Sequence, residues 1–294
     1  MKLENKLLFK DSNQYLEKLI GFFVGIVILS TMAYIDDIKS LKPWQKLLAQ
    51  IISATVLYIF EVRIDTINEI AIHPVLSYIL TVGWIVGITN AVNLIDGLDG
   101  LSSGTTLISC IFLLIIFATN GSSMISVILI TALAGAITGF LPFNANPAKT
   151  FMGDVGSQFL GFSLAVISMF GIAKTVTLVV LIAPVLVLGL PIFDTLFAII
   201  RRIKKGKSLK AVFQPDKGHL HHRLIARGYT QKQAVIILYA ITAALGMFAI
   251  IFVYDGIFKA LAFMFVVAIM LWIGRAELAK YNNDLLKSNK KDME

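Results

Sequence analysis

The sequence predicts an all-α, polytopic integral membrane protein of about nine transmembrane helices, and three observations predict it. Hydrophobic residues make up 57% of the 294-residue chain and the mean hydropathy is +0.82, far above globular usage. Apolar runs of about 20 residues recur almost to the C-terminus, each long enough to cross a hydrocarbon core of roughly 30 Å as a helix. The period-2 alternation of β-barrel strands is absent.

In chain order the predicted spans are 17–35, 44–61, 75–92, 100–118, 123–142, 155–173, 175–200, 232–252 and 255–275. The first follows a largely polar stretch and no A-x-A-like site follows it, so a cleavable signal peptide is not expected. The seventh is unusually long, and Pro191 is expected to break it. Asp194 lies in the same apolar run, where an ionisable group is expensive unless it is paired or faces a polar cavity. Most connections are short. The exception, 201–232, is rich in Lys, Arg and His and must stay outside the bilayer core. The chain therefore reads as one transmembrane domain, 1–294, with 201–232 as a cytoplasmic loop carrying a histidine motif. The single cysteine, Cys110, sits in an apolar run, which leaves no intramolecular disulfide and no cysteine-based metal site. A net charge of +8 raises nucleic acid as a partner, but the basic residues lie between apolar spans rather than on a separable domain. No nucleic-acid partner is expected.

Orientation follows from Lys/Arg asymmetry. If the first span ends in the cytoplasm, that side carries nineteen of the 26 basic residues: Lys39, Lys42 and Lys46, Lys149, the ten from Arg201 to Lys232, and the five from Arg275 onward. The short tail with Lys2, Lys6, Lys10 and Lys18 runs against this assignment. A chain from which an even number of upstream spans is missing would show that anomaly.

Four polar constellations fall at span ends, all on the cytoplasmic side of this topology. The first is Asp36-Asp37. Adjacent carboxylates repel, so they suit a general base or a divalent-metal site, although a polar helix end can also carry them. Lys39, Lys42, Lys46 and Trp44 beyond them read either as an interfacial anchor or as holders of a lipid phosphate. The second is NAVNLIDGLDGL at 90–101, in which Asn90 and Asn93, and Asp96 and Asp99, are three apart and share a face if the segment is helical. Gly97 and Gly100 allow a ligand or backbone to come close. The third is NPAKTFMGDVGSQFLGF at 146–162, where Asp154 between Gly153 and Gly156 opens a helix as a cap or as a hard-metal ligand. The fourth is DKGHLHHRL at 216–224. His219, His221 and His222 beside Arg223 lack the partners of a zinc site and fit better as donors to phosphate oxygens. Arg201 and Arg202 are basic span-end anchors or phosphate ligands, and His73, alone on the far side, is an isolated surface residue.

With these motifs in order, residues 20–225 resemble the polyprenyl-phosphate N-acetylhexosamine-1-phosphate transferases, through IDDIKSL, NLIDGLDGL, FMGDVGS and HLHHRL. The resemblance implies a multi-pass enzyme of the bacterial cell membrane with its active site on the cytoplasmic face. Such an enzyme couples a UDP-amino sugar to undecaprenyl phosphate, releases UMP and needs Mg²⁺ or Mn²⁺. HLHHRL looks like the GlcNAc-1-phosphate branch that starts wall teichoic acid and related polymers. The alternative is the branch that uses UDP-MurNAc-pentapeptide. Family members usually have two further N-terminal spans, and a homodimer is among the assemblies the resemblance allows.

Combined with the residue chemistry, the resemblance implies metal binding mainly by Asp154 with Asp36 and Asp37. Asp36 would deprotonate or orient the lipid phosphate and Asp37 would assist. Asn93, Asp96, Asp99 and Phe151 would build the nucleotide pocket. His219, His221, His222, Arg223, Lys39 and Arg202 would contact phosphates. A secondary transporter is the rival from another class, and it predicts midplane polar sites and inverted repeats, which the sequence lacks. An inactive truncated family member is the third reading.

Overall fold

The structure is a computed structural model that describes residues 2–67, 70–171, 178–206, 218–265 and 268. Its helices are α1 (Lys2–Ile38), α2 (Pro43–Ile59), α3 (Pro74–Ile95), α4 (Leu101–Thr119), α5 (Met124–Asn144), α6 (Gly153–Gly171), α7 (Leu178–Val187), α8 (Gly189–Gly206), α9 (Leu220–Ala226) and α10 (Gln231–Asp255). Residues 257–265 are also helical. Between α2 and α3 lies a two-residue antiparallel ladder, β1 (Thr66–Ile67) and β2 (Ile70–Ala71). Proline opens both α2 and α3, where its missing N–H costs no helical bond.

Among the described residues six helices are long and apolar enough to cross a membrane: α1 over Tyr15–Ile38, α3, α4, α5, α6 and α10. The span predicted at 44–61 forms α2, with 17 residues. The last predicted span lies partly outside the described residues. The long run at 175–200 is divided into α7 and α8, but the break falls at Leu188 and not at Pro191, which sits inside the first turn of α8. Pro191 has no N–H for the Val187 carbonyl. The Ser109 hydroxyl of α4 donates to that carbonyl at 3.4 Å, so the interruption leaves no orphan acceptor there.

Helix α6 is the centre of the bundle, packed against α1, α3, α4 and α5. From Ser157 to Gly171 nearly all of its side chains are buried. Because lipid tails are as apolar as leucine, helices in a membrane associate through close packing, which small residues permit. Gly161 shows this directly. A Cβ there would lie 2.8 Å from the Cα and 3.0 Å from the carbonyl oxygen of Thr89, so α3 and α6 touch backbone to backbone.

The main apolar core runs through Phe22, Leu29, Ile85, Leu113, Phe117 and Leu164. A smaller cluster of Ile95, Leu101, Leu190, Val235 and Leu238, with Leu220 and Leu224 packed on it, seats α9 against the ends of α3 and α10. At that end lie the α1–α2, α3–α4 and α5–α6 connections and the described start of α9, which hold the described residues of the four polar constellations. His73 is at the other end, capping α3 by accepting from the Val75 N–H at 3.3 Å. Cys110 is buried inside α4.

Candidate active site

The site starts with the turn that ends α1. Asp36 is buried, and its Oδ1 accepts from the Leu41 N–H at 2.7 Å, folding the chain toward α2. Gln45 accepts from the Lys42 N–H at 2.8 Å and fixes the first turn of α2. That turn aims Lys46 inward. Its ammonium pairs with Asp36 Oδ2 and with Asp154 Oδ2, the latter at 2.9 Å, so one lysine joins α1, α2 and α6.

Helix α3 completes the cluster. Asn93 Nδ2 donates to Asp154 Oδ1 at 3.3 Å and to the Ser157 hydroxyl at 2.8 Å. Asp154 therefore faces its neighbours across the bundle and does not cap α6. Asp37 is exposed, with Oδ2 only 3.4 Å from where a Cβ on Gly153 would be. Gly153 has φ +65, a backbone conformation that suits glycine and turns the chain into α6 beside that carboxylate.

One helical turn deeper lies a second polar layer. Gln50, Asn90 and Gln158 are spaced from Lys46, Asn93 and Asp154 by four, three and four residues, so each shares a helix face with its partner. Asn90 donates to Gln50 at 2.6 Å, and Gln50 donates to Gln158 at 3.2 Å. These uncharged amides close on one another inside the bundle.

Beside the charged layer is a cavity of about 300 Å³ lined by Asn93, Asp96, Asp99, Asn144, Phe151 and Asp154, with Gly97 and Gly153 in its wall. Helix α3 stops at Ile95, so Asp96 and Asp99 do not share a helix face as their spacing predicts. The Asp96 N–H bonds back to Asn93, and Gly100 takes φ +75, which turns the chain directly into α4. Asp96 consequently faces the cavity. Burial, and then the neighbouring Asp154 charge, push its carboxyl up to about 6. Asp99 turns instead to the facing loop, where its Oδ2 accepts from Asn146 Nδ2 at 2.9 Å and the Ala148 N–H at 3.1 Å. Asn146 also donates to Gln231 at the start of α10, at 2.9 Å. Asn144 accepts from Ser103 at 2.7 Å and donates to the Thr150 carbonyl at 3.0 Å. With that loop pinned, Phe151 is left 77% exposed at the cavity mouth. The same ring borders an apolar recess of about 210 Å³ between α5 and α6, lined by Leu133, Ile137, Phe140 and Leu160.

The histidine motif is divided by the structure. His219 Nδ1 bonds to Asp194 Oδ2 at 2.8 Å, so that nitrogen is turned toward α8 and taken by a carboxylate. The pair shows how α8 keeps an acid in an apolar run. His221 is 2% exposed, and its ring nitrogens have no hydrogen-bond partner among the described residues. Its Nε2 stands where a Cβ on Gly97 would be, in the cavity wall. Burial, then His222 and His219, hold its pKa down at about 4, so it is neutral at ordinary pH. His222 and Arg223 are exposed, as is Lys39. Arg202 is half-buried on α8, and the Arg201 guanidinium occupies the space beside Gly218.

By sequence Lys46 is grouped with Lys39 and Lys42, as an interfacial anchor or a holder of lipid phosphate, and only the structure sets it apart as the cation between Asp36 and Asp154. Its spacing from Gln50 was the available signal, because a lipid-facing anchor needs no buried amide four residues on. The sequence gives no role to Asn144, to Asn146 within the 146–162 constellation, or to Gln231.

Among the described residues no three His, Cys, Asp or Glu side chains form a ready-made metal cage. Mg²⁺ seldom needs one, since it takes one or two carboxylates, keeps waters and adds substrate phosphates. Asp36 and Asp154 are hard oxygen donors of that kind, with a cationic ammonium already between them. The donor set fits.

Fold and site together define a polytopic membrane protein whose polar site lies at one end of the helix bundle. The chain belongs to glycosyl transferase family 4, whose description matches residues 19–172. It is 37% identical over 261 residues to a probable undecaprenyl-phosphate N-acetylglucosaminyl 1-phosphate transferase of Bacillus subtilis, covering 87% of this chain and 72% of that protein. It is 33% identical to a decaprenyl-phosphate N-acetylglucosaminephosphotransferase of Mycobacterium leprae, covering 74% of this chain and 60% of the other. With a phospho-N-acetylmuramoyl-pentapeptide-transferase of Streptococcus thermophilus it shares 41% identity, over 54% of this chain and 51% of the relative.

Proposed function

We propose that the chain transfers N-acetylglucosamine 1-phosphate from UDP-N-acetylglucosamine to undecaprenyl phosphate, releasing UMP, on the cytoplasmic side of a bacterial cell membrane as the first membrane step of a cell-surface polymer. The observation that carries this reading is the Asp36–Lys46–Asp154–Asn93 cluster, built from four helices at one end of the bundle, beside a cavity lined by Phe151 and backed at Gly97 by His221. The N-acetylglucosaminyl relative of Bacillus subtilis matches 87% of the chain, more than the pentapeptide relative of Streptococcus thermophilus at 54%, which favours that donor. The basic connections lie at the same end as the cluster, which supports the cytoplasmic assignment.

In this reaction an oxygen of the lipid phosphate attacks the sugar-bearing phosphorus of the donor. The bond to the UMP phosphate breaks, and the product is a lipid-linked sugar diphosphate. Both reactants are anions, so the residues must position charge more than make bonds. Asp36, held by the Leu41 N–H and Lys46, orients the lipid phosphate and accepts any proton it still carries, with Asp37 assisting. Lys46 offers its ammonium to phosphate oxygens. Asn93 fixes the rotamer of Asp154. The Phe151 ring gives the base a flat apolar surface, and Asp96, Asp99 and Asn144 offer hydrogen-bond partners to its edge and to the ribose. His221 donates to a phosphate oxygen. Asp154, Asp36 and Asp37 would hold Mg²⁺ or Mn²⁺, which screens the pyrophosphate charge and stabilises the leaving UMP.

The test is an assay of the purified protein with labelled UDP-N-acetylglucosamine, undecaprenyl phosphate and Mg²⁺, scoring UMP and lipid-linked product, with UDP-MurNAc-pentapeptide as a competing donor. Product from the first donor is expected. Turnover of the pentapeptide donor alone, or of neither, would overturn the reading.

A further inference from the structure

The polar residues not used by this chemistry include one that is unusually placed. Asp194 is 4% exposed in an apolar stretch of α8, where an unpaired carboxylate would be costly. Both of its oxygens are engaged: Oδ2 with His219 Nδ1 at 2.8 Å, and Oδ1 with the Leu220 N–H at 2.9 Å. An ionised carboxylate only accepts, so the His219 ring carries its proton on Nδ1. His219 is itself 4% exposed. Its ring then stacks on His221, with centroids 5.8 Å apart and planes within 9°. Beyond it, His221 presses on Gly97, whose missing side chain leaves the room.

Three contacts thus connect a buried acid in α8 to the cavity wall. We propose that Asp194 and His219 are positioning residues that touch no substrate: they lock the start of α9 onto α8 and, through the ring stack, hold His221 against Gly97, its buried ring nitrogens bonded to no described residue and so left for the incoming phosphates. This rests on the transferase reading for the identity of those phosphates. It assigns different work to the three histidines: His219 anchors, His221 contacts, and His222 lies at the exposed edge.

The consequence is that Asp194 and His219 act as one device. Asp194→Asn and His219→Phe should each lower kcat on the order of 10- to 100-fold with little change in donor KM, since a supporting partner or a displacement of about 1 Å carries losses of that size. The double variant should be no worse than the poorer single. His219→Asn, whose side-chain amide can still donate to Asp194, should recover much of the loss, which a substrate-contacting imidazole would not allow. The readout independent of turnover is the imidazole NMR of the full chain with labelled histidine. In the parent, His221 should stay neutral down to about pH 4, with His219, His222 and Asp194 as the titratable groups facing it. In Asp194→Asn and His219→Phe it should titrate near the ordinary value of about 6.5, in protein whose thermal unfolding is still cooperative. Additive losses, no recovery by His219→Asn, or an unchanged His221 titration would each overturn the proposal. If the parent lacks transferase activity but the NMR shift occurs, the clamp stands and the transferase reading fails.

Discussion

Helices α2, α3 and α6 carry two polar layers one turn apart, and the contrast between them separates charged groups beside the cavity from uncharged amides inside the bundle. The outer layer is Lys46, Asn93 and Asp154, which reaches Asp36 and borders the cavity. The inner layer is Gln50, Asn90 and Gln158, which has the same spacing and no charge. Charges placed one turn deeper would face a much larger desolvation cost, whereas amides that satisfy one another can stay. The inner layer fixes the rotation and separation of the three helices. The outer one can then hold ions in a set geometry.

The largest effect that would break this contrast is expected from Asp154→Ala. It removes the acceptor shared by Lys46 and Asn93 and should lower UMP release on the order of 10²- to 10³-fold, while the inner layer keeps the fold. Near-parental turnover would show that the outer layer is not the reacting one. Next is Lys46→Met, which leaves Asp36 facing Asp154 with no cation between them. Lys46 is 31% exposed, so the stability loss should be below that of a fully buried pair, about 1–2 kcal/mol. Mg²⁺ should restore more thermal stability to this variant than to the parent, measured by melting in detergent with and without the ion. Equal Mg²⁺ effects would remove the two carboxylates as its ligands.

For the inner layer, Gln50→Leu strands the amides of Asn90 and Gln158 and should cost about 1–3 kcal/mol. Its effect on donor KM should be small. A large KM change with unaltered melting would reverse the roles given to the two layers.

The smallest effect is in pH. Asp96, raised to about 6, contributes stability that is full below the unfolded value of 3.8 and is lost as pH rises through about 6. His221, lowered to about 4, contributes stability present above 6.5 and lost as pH falls toward 4. The two slopes oppose each other between pH 4 and 6.5. Melting curves across that window should rise with pH in Asp96→Asn and fall in His221→Asn. Identical slopes in both variants would remove these groups as the cause.

Apolar runs made the helices legible, since length and composition alone fix what can cross a membrane. Asp36, Asp96 and Asp154 were legible at the span ends, where charge is out of place unless it has a use. Tertiary partners were not legible. Asp96 and Asp99 look equivalent by spacing, yet the end of α3 at Ile95 sends one to the cavity and the other to Asn146. Lys39, Lys42 and Lys46 look like one basic cluster, but only the turn set by Gln45 decides which of them faces inward. His219 and His221 differ only because Asp194, far away in the chain, meets the first. The break in 175–200 was expected at Pro191 and occurs at Leu188, because Pro191 is tolerated in the opening turn of a new helix.

The bare contact at Gly161 makes the α3–α6 crossing a fulcrum. Asp154 stands seven residues from it along α6, a rise of about 10 Å, and Asn93 stands four residues beyond Thr89 along α3. A methyl group wedged at Gly161 would spread the two arms of this lever and draw Asn93 off Asp154. Drift at a position with no reactive atom would then silence the chemistry as surely as the loss of a carboxylate.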